Sequence, residues 1–245
     1  MPDVKVLANV PILRAAERRS GELVVSTGAS PRYHEAMMTL GFALEDHRPA
    51  EGGQVLALSS ALSGEGKSVT IANLALGLAE AGHRVLLVDS DFCRPRQHEI
   101  FGLSADLPGL AQILRDGRPL SEVVQARSGI EVLPVGSDPG DLALPRFQRK
   151  LQQCLGTWRQ SYDFILLDLP PMALFATVAR IAKQADGLLV LANLQRVTPD
   201  ILLPGLQQLQ ALRIPVHGII VLDNTQARRS AEYSPYLIAL EGGQA

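Results

Sequence analysis

Apolar residues along this chain follow two alternating patterns. Short, nearly unbroken apolar runs occupy residues 55–58, 85–88, 130–135, 163–168, 187–191 and 216–222. Between them lie longer segments in which apolar residues recur every three or four positions. An unbroken run suits a strand covered on both faces, and the wider spacing suits a helix with one buried stripe. Helices are accordingly predicted over residues 67–81, 145–158, 177–184 and 199–212. The first places Ile71, Leu74, Ala75 and Leu78 on one stripe and stops at Gly82. The second carries Phe147, Leu151 and Leu155, and the last contains Pro204, which is expected to bend it without abolishing it. A further helix opens at Ser30 and Pro31 and runs to about residue 45, because serine suits the cap and proline the first turn. Between residues 94 and 124 the pattern predicts short helical pieces broken at Pro108, Gly109, Gly117 and Pro119. Strands alternating with helices predict an α/β fold in which a mostly parallel sheet is wrapped by helices on both faces.

The same pattern suggests how the chain is divided. Residues 30–224 are expected to form one domain, preceded by an N-terminal appendage or linker over residues 1–29 and followed by a polar tail over residues 225–245. The appendage holds a short apolar stretch, VKVLANVPIL, for which an edge strand is the alternative reading. A length of 245 residues can bury a full core. The 47% hydrophobic and 20% charged fractions fit a globular domain without a disorder signature. A net charge of −2 gives no reason to expect a nucleic-acid partner. Cys93 and Cys154 are too few for a disulfide framework or a thiolate metal site, which suits a reducing cytoplasm. No apolar run approaches the length of a membrane span.

The chemistry concentrates in residues 54–94. An apolar run passes through Ser63, Gly64, Glu65 and Gly66 and starts a helix at Lys67, the strand, loop, helix order of a P-loop NTPase. Gly64 and Gly66 can turn successive N–H groups inward, and with the positive end of the helix these form an anion nest. Residues Ser63, Gly64, Glu65, Gly66, Lys67, Ser68 and Val69 are therefore expected to cradle a polyphosphate. Lys67 would face the surface and reach the β and γ phosphates, while the Ser68 hydroxyl would hold Mg²⁺. Ala61 stands where the strict motif has its first glycine. The run over residues 85–88 delivers Asp89 and Asp91 at its carboxyl end, where open parallel sheets bind ligands. Two aspartates there are expected to handle a metal and a proton. Spacing alone does not divide those roles between them. Asp168, followed by Leu169 and two prolines, stands at another strand end and can complete the metal site. Arg94 and Arg96 read as a solvated pair, and the five scattered histidines as surface or satisfied core residues.

The segment SSALSGEGKSVTIANLALGLAEAGHRVLLVDSDFCRPRQHEIFGL resembles the nucleotide-binding domain of bacterial tyrosine kinases of the capsule and exopolysaccharide type. The resemblance covers most of the chain from about residue 30. It implies an ATP- and Mg²⁺-dependent protein tyrosine autokinase that regulates polysaccharide polymerisation or export. In the family's terms Lys67 and Ser68 are the P-loop pair, Asp89 and Asp91 the second Walker motif, and Asp168 the Walker B residue. Lys67, Asp89 and Asp91 are then the catalytic candidates, with Asp89 accepting the tyrosine proton, and Ser68, Asp91 and Asp168 are the metal ligands. Asn224 would approach adenine, and Tyr233 and Tyr236 would receive the phosphate. The implied partner is a membrane polysaccharide co-polymerase or activator protein, which would hold the chain at the inner face of the cell membrane. The family's dense tyrosine cluster is reduced here to two residues, and Thr177 occupies the place of an acidic residue. The family's subunit-pairing motif, E-x-x-R-x-x-R, retains only Glu35, with Met38 and Gly41 in the arginine positions, so self-association is expected to be weak. Two other readings compete: a nucleotide-switched scaffold of the same lineage, and a positioning ATPase of the MinD and ParA type. The latter lacks its signature lysine, since Leu62 stands in that place.

Overall fold

The computed structural model describes residues 4–13, 23–138, 140 and 145–223. In chain order these form β1 (Val6–Val10), α1 (Val24–Thr27), α2 (Pro31–Glu45), β2 (Gln54–Ser60), α3 (Lys67–Glu80), β3 (Val85–Asp89), α4 (Gln97–Ile100), α5 (Leu110–Asp116), β4 (Gln125–Arg127), β5 (Ile130–Leu133), α6 (Pro145–Trp158), β6 (Phe164–Asp168), α7 (Phe175–Ala182), β7 (Gly187–Asn193), α8 (Pro199–Ala211) and β8 (Val216–Leu222). All eight strands join one sheet in the order β1-β8-β7-β2-β6-β3-β5-β4. Every pairing is parallel except the hairpin of β4 with β5. The expected architecture is therefore present.

The apolar runs are continuous because the sheet is buried on both sides. Alternate residues of β2 separate cleanly: Val55 and Ala57 join the core under α5 to α8, while Leu56 and Leu58 join the core under α1 to α3. The second core contains the predicted stripe of α3 together with Tyr33, Met37, Leu40 and Leu44 of α2. Asn73 of α3 fixes α1 by accepting from the Val25 N–H at 2.9 Å. The α2 helix begins at Pro31 after an extended Ser30, whose side chain makes no capping bond. Pro204 lies inside α8, which remains continuous around it.

Residues 1–29 were expected to stand outside the domain, and their described part corrects that expectation. Val6–Val10 is the edge strand parallel to β8, and Val24 and Val25 are buried in the core. The short run VLANV is apolar enough to cover the sheet edge, so it pairs rather than linking. The tail over residues 225–245 lies outside the described residues.

Candidate functional site

The site is built at the carboxyl ends of three neighbouring strands, β2, β6 and β3. From Ser60 the chain turns through the P-loop, where Gly64 (φ 78°) and Gly66 (φ 101°) take the left-handed conformation that side-chain-bearing residues avoid. Ala61 sits buried in the place of the first motif glycine and has no positive φ, so its methyl group is tolerated. Gly66 caps α3, whose N-terminal N–H groups and dipole favour an anion above the loop. Glu65, an expected phosphate-cradle residue, turns its side chain inward and is 1% exposed. Its carboxylate accepts the Leu62 N–H and, at 2.9 Å, the N–H of Asn193 at the end of β7. Arg196 adds a second tie, donating to the Gly64 carbonyl at 2.8 Å. Burial raises the Glu65 carboxyl above the usual range, against the lowering effect of the N–H bonds from Asn193 and Leu62.

Three carboxylates meet one ammonium at the head of this loop. Asp89 and Asp168 end adjacent strands and are register partners, and Asp91 follows two residues on. The Lys67 ammonium lies 2.8 Å from Asp91 Oδ2, 3.5 Å from Asp168 Oδ1 and 3.3 Å from Ser68 Oγ. Lys67 is only 9% exposed, which corrects the expectation of a surface-facing lysine. Burial disfavours its charge, but Asp168, Asp91 and Asp89 together outweigh that and raise its pKa. Asp168 is raised by burial, opposed by Lys67 and by hydrogen bonds from Ser68 and Gln97.

The two aspartates of the second motif have different surroundings. Asp89 is fully buried and accepts three main-chain N–H groups, from Asp91 at 3.2 Å and from Arg96 and Gln97 at 2.9 Å each. Burial and then Asp168 raise its carboxyl, against those three bonds. Asp91 accepts the Cys93 and Arg94 N–H groups through Oδ1 and keeps Oδ2 on Lys67. One further residue, outside every motif, joins all three of them. Buried Gln97 donates through Nε2 to Asp168 Oδ2 at 2.8 Å and to the Ser68 carbonyl at 3.1 Å, while its own N–H holds Asp89. Glutamine in a four-residue helix carries no motif signal, so only tertiary structure reveals it.

These residues fit Mg²⁺. Asp91 and Asp168 face a single ammonium in a buried place, with Asp89 beside them, an acid-rich setting that a divalent cation balances. Asp168 Oδ1, Gln97 Oε1 and Ser90 Oγ are buried with no hydrogen-bond partner among the described residues. No three His, Cys, Asp or Glu side chains among the described residues form a ready metal cage.

The remaining candidates are dispersed. Ser63 lies at the exposed loop tip, where its hydroxyl accepts from Arg94 at 3.4 Å, and Val69 is half-buried on α3. Arg96 pairs with Glu99 at 2.7 Å, so the two arginines have separate partners. His34 and His83 meet Glu80 and Glu45 at 2.6 Å and 2.7 Å. Asn224, Tyr233 and Tyr236 lie outside the described residues. Tyr33 is buried, and Tyr162 donates its hydroxyl to Glu131.

A glycine-turned loop feeding a helix, with strand-end aspartates beside it in a parallel sheet, defines a P-loop NTPase. The chain belongs to the AAA domain family, whose model matches residues 53–212, and within it to the bacterial tyrosine-kinase type of P-loop domain. It is 30% identical over 188 residues to EpsB of Ralstonia solanacearum, covering 76% of this chain and 25% of EpsB. The chain thus spans about a quarter of that relative's length. It is 26% identical over 214 residues to the tyrosine-protein kinase YwqD of Bacillus subtilis, covering 84% of this chain and 86% of YwqD. The kinase domain of the Escherichia coli tyrosine kinase ETK shares the fold with a TM-score of 0.79 at 23% identity, over 94% of each chain.

Proposed function

We propose that this chain is an ATP-dependent protein tyrosine autokinase that regulates exopolysaccharide or capsule polymerisation and export. The observation that carries this reading is the buried set of Lys67, Ser68, Asp91 and Asp168 at the head of the P-loop, joined by an aspartate pair rather than a single acidic residue. Phosphoryl transfer asks a protein for positioning and charge stabilisation more than for covalent chemistry. Bound Mg²⁺ supplies positive charge at the β and γ phosphates. Lys67 and the N–H nest would bind the phosphates, while Ser68, Asp91 and Asp168 would hold the metal. Asp89 accepts the proton of the incoming tyrosine hydroxyl, and burial followed by Asp168 raises its proton affinity. Asn224 approaches the adenine.

Tyr233 and Tyr236 are the acceptors in this reading. Tyr33 is buried and Tyr162 is engaged with Glu131, which leaves these two tyrosines less available. The partner is a membrane co-polymerase or activator protein that gathers subunits at the inner face of the membrane; among the described residues no helix is long and apolar enough to cross one. Intact-mass analysis after incubation with Mg-ATP, with and without such a partner, tests the proposal. Single-phosphate steps that map to Tyr233 or Tyr236 and vanish in Y233F/Y236F are expected. Phosphate mainly on Tyr162, or unchanged in the double variant, contradicts the acceptor assignment.

One observation favours the second reading, a nucleotide-switched scaffold. Gly41 is buried, and a Cβ there would lie 3.4 Å from Leu78 of α3. The position that carries an arginine in the subunit-pairing motif therefore packs inward here. ATP turnover without phosphotyrosine, even with the partner present, would establish the scaffold.

A further inference from the structure

We propose that Gln97 is a positioning residue that sets which oxygen of Asp168 faces the metal and ties that choice to the P-loop. The inference rests on the magnesium site of the preceding reading. Asp168 is fully buried, and its two oxygens have different surroundings. Oδ2 is held by the Gln97 amide at 2.8 Å, while Oδ1 has no hydrogen-bond partner and lies 3.5 Å from Lys67 Nζ. A carboxylate free to rotate about its last bond would present either oxygen. The amide bond removes that freedom and keeps Oδ1 turned toward Lys67 and Ser68.

The same Nε2 donates at 3.1 Å to the carbonyl of Ser68. The residue's N–H donates to Asp89, so a single buried residue links the P-loop, the second aspartate motif and Asp168. Gln97 Oε1 is buried without a hydrogen-bond partner among the described residues. It offers an acceptor to a water carried by the metal. Groups that orient metal ligands in this way typically change metal affinity or activity by about 10- to 100-fold when removed.

Calorimetric titration of ADP in Mg²⁺ and in a chelator, on wild type, Gln97→Met and Gln97→Glu, tests this. Methionine fills the same space without a donor, and glutamate replaces the amide donor with a carboxyl group. The expected result is that the affinity gained on adding Mg²⁺ falls about tenfold or more in both variants, with chelator-phase ADP affinity unchanged. In an Asp168→Asn background, Gln97→Met should cost little further, because the oriented carboxylate is already lost. A wild-type Mg²⁺ gain in either variant overturns the proposal. So does equal loss of ADP affinity in the chelator, which indicates a packing role. Absence of any Mg²⁺ gain in wild type instead overturns the magnesium site itself, and this inference with it.

Discussion

Replacing Lys67 with methionine should destabilise the fold as well as abolish turnover, and the two losses should differ in pH dependence. The ammonium is the only cation contacting Asp91 and Asp168 among the described ion pairs, at 2.8 Å and 3.5 Å. Removing one partner from a buried ionic group leaves an uncompensated charge and typically costs about 3–5 kcal/mol. For a domain of this size each kcal/mol shifts Tm by about 2–4 °C, so a drop of roughly 6–20 °C at neutral pH follows. The sign with pH comes from Asp168, whose folded pKa is already raised by burial and loses the lowering effect of Lys67. A carboxyl raised in the folded state binds more protons there than in the unfolded chain, so stability falls as pH rises above its unfolded value of 3.8. The deficit of the variant should therefore be small near pH 4 and widen toward neutrality. Adding Asp91→Asn should recover part of it, since one uncompensated charge is gone. Differential scanning fluorimetry of wild type, Lys67→Met and the double variant across pH gives the readout. A single variant with wild-type Tm at every pH would refute the electrostatic reasoning.

Asp89→Asn and Asp91→Asn should each slow phosphoryl transfer on the order of 10²-fold, the effect of removing one preorganised electrostatic group; full turnover in both would make the pair structural. The isolated chain should be mainly monomeric or weakly associated, because Met38 and Gly41 cannot supply charge-assisted contacts. Light scattering across a concentration series, with and without Mg-ADP, checks this, and a stable ring at micromolar protein refutes it. Asp163, bonded by the main-chain and side-chain nitrogens of Arg84, has its carboxyl lowered to about 2. Its contribution to stability is complete above its unfolded value of 3.8 and is lost as pH falls toward 2. Acid unfolding of Asp163→Asn should lack that part of the profile, and an identical acid limb would count against the assignment.

The fold was legible because its information is local. Unbroken runs such as residues 164–168 and the α3 stripe of Ile71, Leu74, Ala75 and Leu78 state their secondary structure outright. The motif residues Lys67, Ser68, Asp91 and Asp168 were also readable, since each stands at a strand end or helix start, and the structure brings them together. What the sequence withheld depends on contacts between distant segments. VLANV reads equally as linker or strand until β8 is seen beside it. The burial of Lys67 follows from carboxylates 24 and 101 residues away, at positions 91 and 168. Gln97 and the inward turn of Glu65 have no local signature, because their partners, Asp168 and Asn193, are far along the chain.

The tie between Glu65 and Asn193 spans 128 residues, and it has a consequence for the order of events in folding. Synthesis delivers the P-loop early, but the strand carrying Asp168 and the N–H that fixes Glu65 arrive only after roughly another hundred residues, at a typical pace of about 5–20 residues per second. Until then the loop lacks its brace and its third carboxylate. Long-range parallel pairings are also slow to form, because loop closure opposes them before contacts compensate. Assembly of the braced P-loop in this chain is thus a late event, reached when β7 closes against β2 rather than when the glycine-rich loop is made.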